Sequence, residues 1–275
     1  MNTLLLSELK SPKKNLLQTL VLLEEYVFQV SQIEQDITSA TQSFDGLETI
    51  IEQCLAVIAE NGSPLEQAEI LLNELFYQHL FIDQPEMNWS TNSFKIASSL
   101  NQRSMSPIVK AAFVCEIVQA CGFDADLVFV PSKVMVRLNC DEKYAIIFDA
   151  VTGESLNWHE LDLCFDELDG DPSQHEITDL NRQAILVEYL SSLKSALIRE
   201  QLFDKALRCV DLLLSLNPDD PLQRRDRGFL LHQLDCFKVA VDDYRYFVEQ
   251  CPKDPAAQLL KIQLDNITLS EPTFH

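Results

Sequence analysis

The chain has 275 residues, enough for one or two domains, and it is 47% hydrophobic and 23% charged, the proportions of a chain that buries a core. Lys plus Arg number 21 against 43 Asp plus Glu, a net charge of −22, of which residues 1–181 carry −20 and residues 182–275 carry −2. This acidity excludes binding that depends on neutralising phosphates, so neither nucleic acid nor an anionic membrane is an expected partner, whereas basic partners are steered toward the chain.

The longest apolar runs, such as Leu20-Val21-Leu22-Leu23, fall far short of the roughly 18 residues of a membrane helix. The first residues carry neither a basic segment nor a small-residue cleavage site, which points to a cytoplasmic protein. Its eight cysteines (Cys54, Cys115, Cys121, Cys140, Cys164, Cys209, Cys236, Cys251) form no CxxC pair and are expected to be reduced and mostly buried. None of the five histidines lies within five residues of another, so no metal site and no cofactor is expected.

In chain order, residues 14–30, 45–60 and 64–81 read as helices. The third opens on Ser63-Pro64, a capping residue followed by proline at the first helical position, and shows an apolar face at Leu65, Ala68, Leu71, Leu72 and Leu75. Residues 83–105 are polar and irregular, with Trp89 and Phe94 as anchors. Ser106-Pro107 starts another helix, apolar almost all round from Ile108 to Ala120, which places it in a core. Gly122 caps its end.

The period then switches to two. Asp126–Val130, Lys133–Asn139 and Tyr144–Ala150 are short, rich in Val, Ile and Phe, and bounded by turn residues, which predicts three strands and an α+β domain. A short helix over residues 157–168 follows. Glu167, Asp169, Gly170 and Glu176 match part of a calcium-loop spacing, but Phe165 would have to supply the first ligand and cannot, so the stretch reads as a solvated acidic loop.

The last third repeats itself every 34 residues. Asn217-Pro218-Asp219-Asp220-Pro221 recurs as Cys251-Pro252-Lys253-Asp254-Pro255, and Phe203, Ala206, Leu207 and Val210 recur as Phe237, Ala240, Val241 and Tyr244, each set on one helix face. This is the tetratricopeptide period. Each Asp-x-Pro stretch is read as a helix stop. The expected division is a domain over 1–181 and a repeat pair over 182–275 with residues 256–268 as a closing helix, whose concave face takes a protein or peptide partner.

A core helix, three strands and a repeat pair in this order resemble a bacterial transglutaminase-like/tetratricopeptide-repeat family known as regulators of sirC expression (SirB-type). The likeness is closest at Arg225-Asp226-Arg227-Gly228, Leu234-Asp235-Cys236-Phe237 and Asn217–Pro221, and weaker at Arg103-Ser104-Met105-Ser106-Pro107-Ile108 and at Phe148-Asp149-Ala150 with Thr152-Gly153. It implies a papain-like helix-plus-antiparallel-sheet core with N-terminal helices. In the wider superfamily a thiolate at the helix start, a histidine on the next strand and an aspartate form a triad. The resemblance puts the nucleophile at Val109, the histidine at Lys133 and the aspartate at Asp149.

Valine cannot attack a carbonyl and lysine is a poor base at neutral pH, so the expected protein is a pseudoenzyme whose residual cleft is marked by Lys133, Arg137 and Asp149. Asp149 also reads as an ordinary turn aspartate, and Ser106 as an N-cap. Cys115 is expected to be buried and inert, Cys121 and Cys140 more exposed, with His79, His159 or His175 as the histidines able to approach in space. The alternative is a cysteine-dependent peptide or amide hydrolase or acyltransferase using a thiol other than one at position 109.

Overall fold

The computed structural model describes residues 9, 15–28, 37–58, 62–79, 88–96, 104–130, 133–157, 159–160 and 177–270. The predicted acidic loop, most of the helix at 157–168, Arg103, the Pro131-Ser132 turn, Cys164 and His175 lie outside them. The chain divides into two compact units between Tyr189 and Leu190. No helix among the described residues is long and apolar enough to cross a membrane.

The first unit contains α1 (Leu16–Phe28), α2 (Ile37–Val57), α3 (Pro64–Asn73) and α4 (Pro107–Ala120). Its sheet is formed by β1 (Asp124–Val130), β2 (Lys133–Asn139), β3 (Ala145–Phe148) and β4 (Thr178–Asp179). The sheet is antiparallel in the order β3-β2-β1-β4. This is the predicted α+β arrangement with one strand more. A two-residue strand carries no readable alternation, and β4 pairs only Val128 with Asp179 and Phe129 with Thr178.

Helix α4 organises the unit. Ile108, Val109, Ala111, Ala112, Phe113, Val114, Ile117 and Val118 are all buried, and the helix packs on β1 and β2. Its end is a Schellman turn: Gly122 sits at φ +91°, and the Phe123 N–H donates to the Val118 carbonyl at 3.2 Å. Ser63 caps α3 as predicted, with its hydroxyl accepting from the Glu66 N–H and the Glu66 carboxylate accepting from the Ser63 N–H. Below Asn73 this helix widens into a π turn, Glu74–Gln78, that seats Phe76 edge-on against Phe148 with ring centroids 5.8 Å apart. The same ring lies under Gly153, where an added Cβ would fall 2.7 Å from Phe76 Cγ. Phe94 is the predicted anchor: it is buried, it meets Tyr189 edge-on, and its carbonyl accepts the Tyr189 hydroxyl at 3.0 Å.

Helix α5 (Arg182–Arg199) runs through the division between the units. The second unit continues with α6 (Phe203–Leu216), α7 (Pro221–Gln233), α8 (Phe237–Gln250) and α9 (Pro255–Ser270). The 34-residue offset is carried by the backbone as well: Gln201 and Asp235, 34 positions apart, both adopt positive φ, 60° and 59°. Helices end before each proline-bearing stretch as read, α6 at Leu216 and α8 at Gln250, and Pro221 and Pro255 also open the next helices, where Asp220 accepts from the Leu222 and Gln223 N–H groups and Asp254 accepts from the Ala256 N–H. The two copies of the aromatic face also differ, since Phe237 is 50% exposed and meets His232 edge-on at 5.0 Å.

Charged side chains lock the repeat helices together. Asp243, 2% exposed, accepts two hydrogen bonds from Arg227 (2.6 and 2.7 Å) and one from Arg224 (3.2 Å). Lys194 reaches Asp226 at 2.6 Å and Gln223 at 3.0 Å. Gly228 lets α8 come close, since a Cβ there would lie 2.8 Å from the Tyr244 ring and 3.2 Å from the Ala240 carbonyl. The Arg225-Asp226-Arg227-Gly228 run is thus packing machinery.

Two measurements check this. Asp243→Ala strands two guanidinium groups, and since both are partly exposed the loss is expected at roughly 2–3 kcal/mol, below the full cost of breaking a buried pair. Gly228→Ala gains about 1 kcal/mol of helix propensity and loses more to the clash, for a net loss of about 1 kcal/mol in urea unfolding.

Candidate functional site

The start of α4 is the position that the resemblance gives to the nucleophile. Ser106 has N-cap backbone angles (φ −61°, ψ 155°), but its side chain makes no capping bond, and its buried hydroxyl oxygen has no hydrogen-bond partner among the described residues. This corrects the capping role read from the sequence. The Ser106 backbone does the anchoring: its N–H donates to the Ser93 carbonyl at 2.9 Å, and its carbonyl accepts from the Lys110 N–H at 2.9 Å. Val109 is 0% exposed.

Lys133 and Asp149 do meet. Lys133, 66% exposed, places its Nζ 3.7 Å from Asp149 Oδ2. The other carboxylate oxygen, Oδ1, accepts the Val151 N–H at 2.7 Å, while the Asp149 carbonyl accepts the Gly153 N–H and its N–H donates to the Glu154 carbonyl. Asp149 is a turn aspartate and the carboxylate of an ion pair at once. An exposed pair of this kind contributes about 0–1 kcal/mol, so it orients more than it stabilises.

Strand alternation separates this pair from Val109. The register sets Val130 opposite Lys133, Val128 opposite Met135 and Asp126 opposite Arg137. These residues share one face, on which Val128, Val130, Met135 and Ile147 form a small cluster with Leu156 and Ile177. Ala125, Leu127, Val136, Leu138 and Phe148 alternate onto the other face, all buried against α4. Lys133 and Arg137 therefore point away from the helix that holds Val109. Arg137 is spent on the sheet, donating to Asp126 at 2.9 Å and pairing with Asp179 at 2.9 Å across β1, β2 and β4. Its hydrogen bond to Asp126 holds the guanidinium above its ordinary range.

The thiols take three kinds of place. Cys115 donates to the Ala125 carbonyl at 3.5 Å, and burial, followed by the charges of Asp126, Glu116 and Asp124, pushes it up to about 12. It is the buried, protonated residue read from the sequence. Cys121 is not exposed as expected but buried, and interaction with Cys54 of α2 lowers its thiol against the opposing effect of burial. Cys140 is half-buried, and its thiol is raised by burial and by Asp141. Of the histidines, His79 lies 3.6 Å from Glu74 and His159 is exposed. Among the described residues, no group of three or more His, Cys, Asp or Glu is placed to hold a metal ion.

Sequence reasoning missed a cavity of about 270 Å³ beside α4, whose mixed lining includes Asn15, Glu116, Gln119, Asp126 and Arg182. Asn15 Nδ2 donates to Glu116 at 2.9 Å, Gln119 donates to the Ala125 carbonyl at 2.6 Å, and Arg182 is hydrogen-bonded to the Thr19 hydroxyl. Burial raises the Glu116 carboxyl above its ordinary value. The only sign in the sequence is Glu116, the one acidic residue of a mostly apolar helix.

A buried helix laid on an antiparallel sheet and followed by a helical repeat array defines a class of protein that comparison then specifies. Residues 41–190 match the family model of the transglutaminase-like superfamily, and residues 193–265 match a tetratricopeptide-repeat model. The chain belongs to the transglutaminase-like superfamily. It is 33% identical to a UPF0162 protein of Vibrio cholerae over 73% of this chain and 76% of that protein. It is 28% identical to protein SirB1 of Salmonella typhimurium (84% and 87%) and 28% identical to UPF0162 protein YchA of Escherichia coli K12 (92% and 95%). Among solved structures, menin, described with its binding site for the Mixed Lineage Leukemia protein, matches at a TM-score of 0.37 and 11% identity over 89% of this chain and 68% of its own.

The raised Glu116 sets a sign for pH dependence. The native state takes up this proton at a higher pH than the unfolded chain, so stability rises as pH falls from neutral into the folded Glu116 range. Glu116→Gln should flatten that rise in urea titrations, and an unchanged slope would mean that the carboxyl is solvated.

Proposed function

We propose that this protein is a non-catalytic interaction protein: a transglutaminase-like domain that has exchanged its chemistry for a structural ion pair, joined to a repeat array that holds a segment of a partner protein. The observation that carries the reading is the valine at the head of α4. A fully buried aliphatic group, Val109, stands where the resemblance puts the nucleophile, and the Lys133–Asp149 pair, on the far face of the sheet, stands where it puts the imidazole and carboxylate. The relatives named SirB1 and the tetratricopeptide match support a regulatory or interaction role.

The repeat unit has surface to offer. Leu259 and Ile262 on α9 are 65% and 61% exposed, and Phe237 and Val239 at the start of α8 are about half exposed. Exposed apolar side chains grouped on a helical array are suited to a partner segment. The charge imbalance, −20 in residues 1–181, favours a basic partner and association that slows with salt.

The test has two arms. Iodoacetamide labelling near neutral pH should find no cysteine of the first unit reacting faster than a free peptide thiol; one hyperreactive cysteine would restore the hydrolase or acyltransferase reading. Replacing Phe237, Val239, Leu259 and Ile262 with serine should leave the far-ultraviolet dichroism unchanged and remove the proteins that wild type retains from native lysate. Equal recovery by both would end the repeat-mediated role.

A further inference from the structure

The cavity of about 270 Å³ beside α4 lies wholly within the first unit and is separate from the head of the helix, since Val109 does not line it. Ala112, Cys115, Glu116 and Gln119 do, at i, i+3, i+4 and i+7, one stripe of α4. Leu127 of β1, Leu180 after β4 and Ile185 of α5 supply apolar walls. Asn15 and Gln119 are exposed, so the cavity opens to solvent beside them. Apolar walls with a few convergent polar groups are the usual make of a small-molecule site.

Two opposite charges line this cavity without meeting. Glu116 accepts one hydrogen bond, from Asn15 Nδ2 at 2.9 Å, and makes no ion pair with Arg182 or any other cation among the described residues. Burial is what raises its carboxyl, and the Asn15 bond only opposes that rise. Arg182 touches the same asparagine from its backbone: it donates to the Asn15 carbonyl at 3.5 Å and to the Thr19 hydroxyl, which fixes its charge at the cavity wall. Gln119 gives its amide N–H to the Ala125 carbonyl at 2.6 Å and keeps its amide oxygen as an acceptor. Asp126 adds little, because strand alternation turns it to the other face of β1, where Arg137 neutralises it at 2.9 Å.

We propose that this cavity binds a free aliphatic α-amino acid. Its ammonium group sits at Glu116 and the Gln119 amide oxygen, its carboxylate at Arg182, and its side chain against Leu127, Leu180 and Ile185. The ligand's charges have to be close together, because Glu116 and Arg182 are held on two sides of one residue, Asn15. An α-amino acid carries both charges about a single carbon. A plain amine would set a cation against Arg182, and a plain carboxylate would set an anion against Glu116. Size limits the side chain: a cavity of about 150 Å³ holds benzene, and at about 270 Å³ this one has room for the head group with a chain the size of valine, leucine, isoleucine or methionine. Binding is non-covalent, since Cys115 in the wall is a protonated thiol that donates to the Ala125 carbonyl.

The experiment is calorimetric titration of the full chain with leucine and with two truncated forms of it. Isopentylamine lacks the carboxylate, and 4-methylpentanoate lacks the ammonium group. Leucine should bind, and each truncated form should bind at least about tenfold more weakly, the low end of what a hydrogen bond to a charged group contributes. Glu116→Gln keeps the shape of the side chain and an acceptor for Asn15. It should weaken leucine by about the same factor and leave 4-methylpentanoate unchanged, a split that a merely structural role would not produce. No binding of valine, leucine, isoleucine or methionine at about 10 mM, where even a millimolar site is filled, would overturn the proposal. Isopentylamine or 4-methylpentanoate binding as tightly as leucine, phenylalanine binding more tightly than leucine, or equal leucine affinity in wild type and Glu116→Gln would each overturn it too. The ligand series is run on the wild-type chain, so it does not depend on the variant folding, and its outcome is independent of what the repeat surface retains from lysate.

Discussion

The first unit depends on one burial: α4 pressed against β1 and β2. Almost every side chain of Ile108–Val118 is withdrawn from water, so this helix has no solvent face to trade and only one way to lie. At about 1.5–3 kcal/mol for each large aliphatic or aromatic side chain, burial of that stretch outweighs any single polar contact nearby. On the proposed reading, the same burial leaves no place for a thiolate at position 109, which needs a wet, polar setting.

The second unit is held differently. Its helices use alanine and glycine for close approach, and they enclose carboxylates that guanidinium and ammonium groups satisfy. Asp243 with its two arginines and Lys194 with Asp226 fix which helix meets which. Apolar contact alone would tolerate sliding along the repeat; a bidentate arginine–carboxylate pair does not.

Much of this was legible in the sequence because several local signals agreed. Ser106-Pro107, an unbroken apolar run and Gly122 mark the beginning, interior and end of α4, and the 34-residue offset reaches down to the two positive-φ residues. The misreadings have physical causes. Cys121 was taken for a surface residue because a glycine turn follows it, yet it is buried and interacts with Cys54 of α2, distant in sequence. Arg137 resembled a cleft residue until β4, too short to show a pattern, supplied Asp179. Lys133 and Asp149 were singled out by the resemblance alone, and which side of the sheet Lys133 occupies follows only from register, since a shift of one residue exchanges the faces.

The π turn at Glu74–Gln78 ties two remote positions to each other. By widening the helix it wedges the Phe76 ring beneath Gly153, with no room for even a methyl group. A side chain gained at position 153 would therefore need a smaller residue at position 76, and would still carry the strain of a φ of +76°.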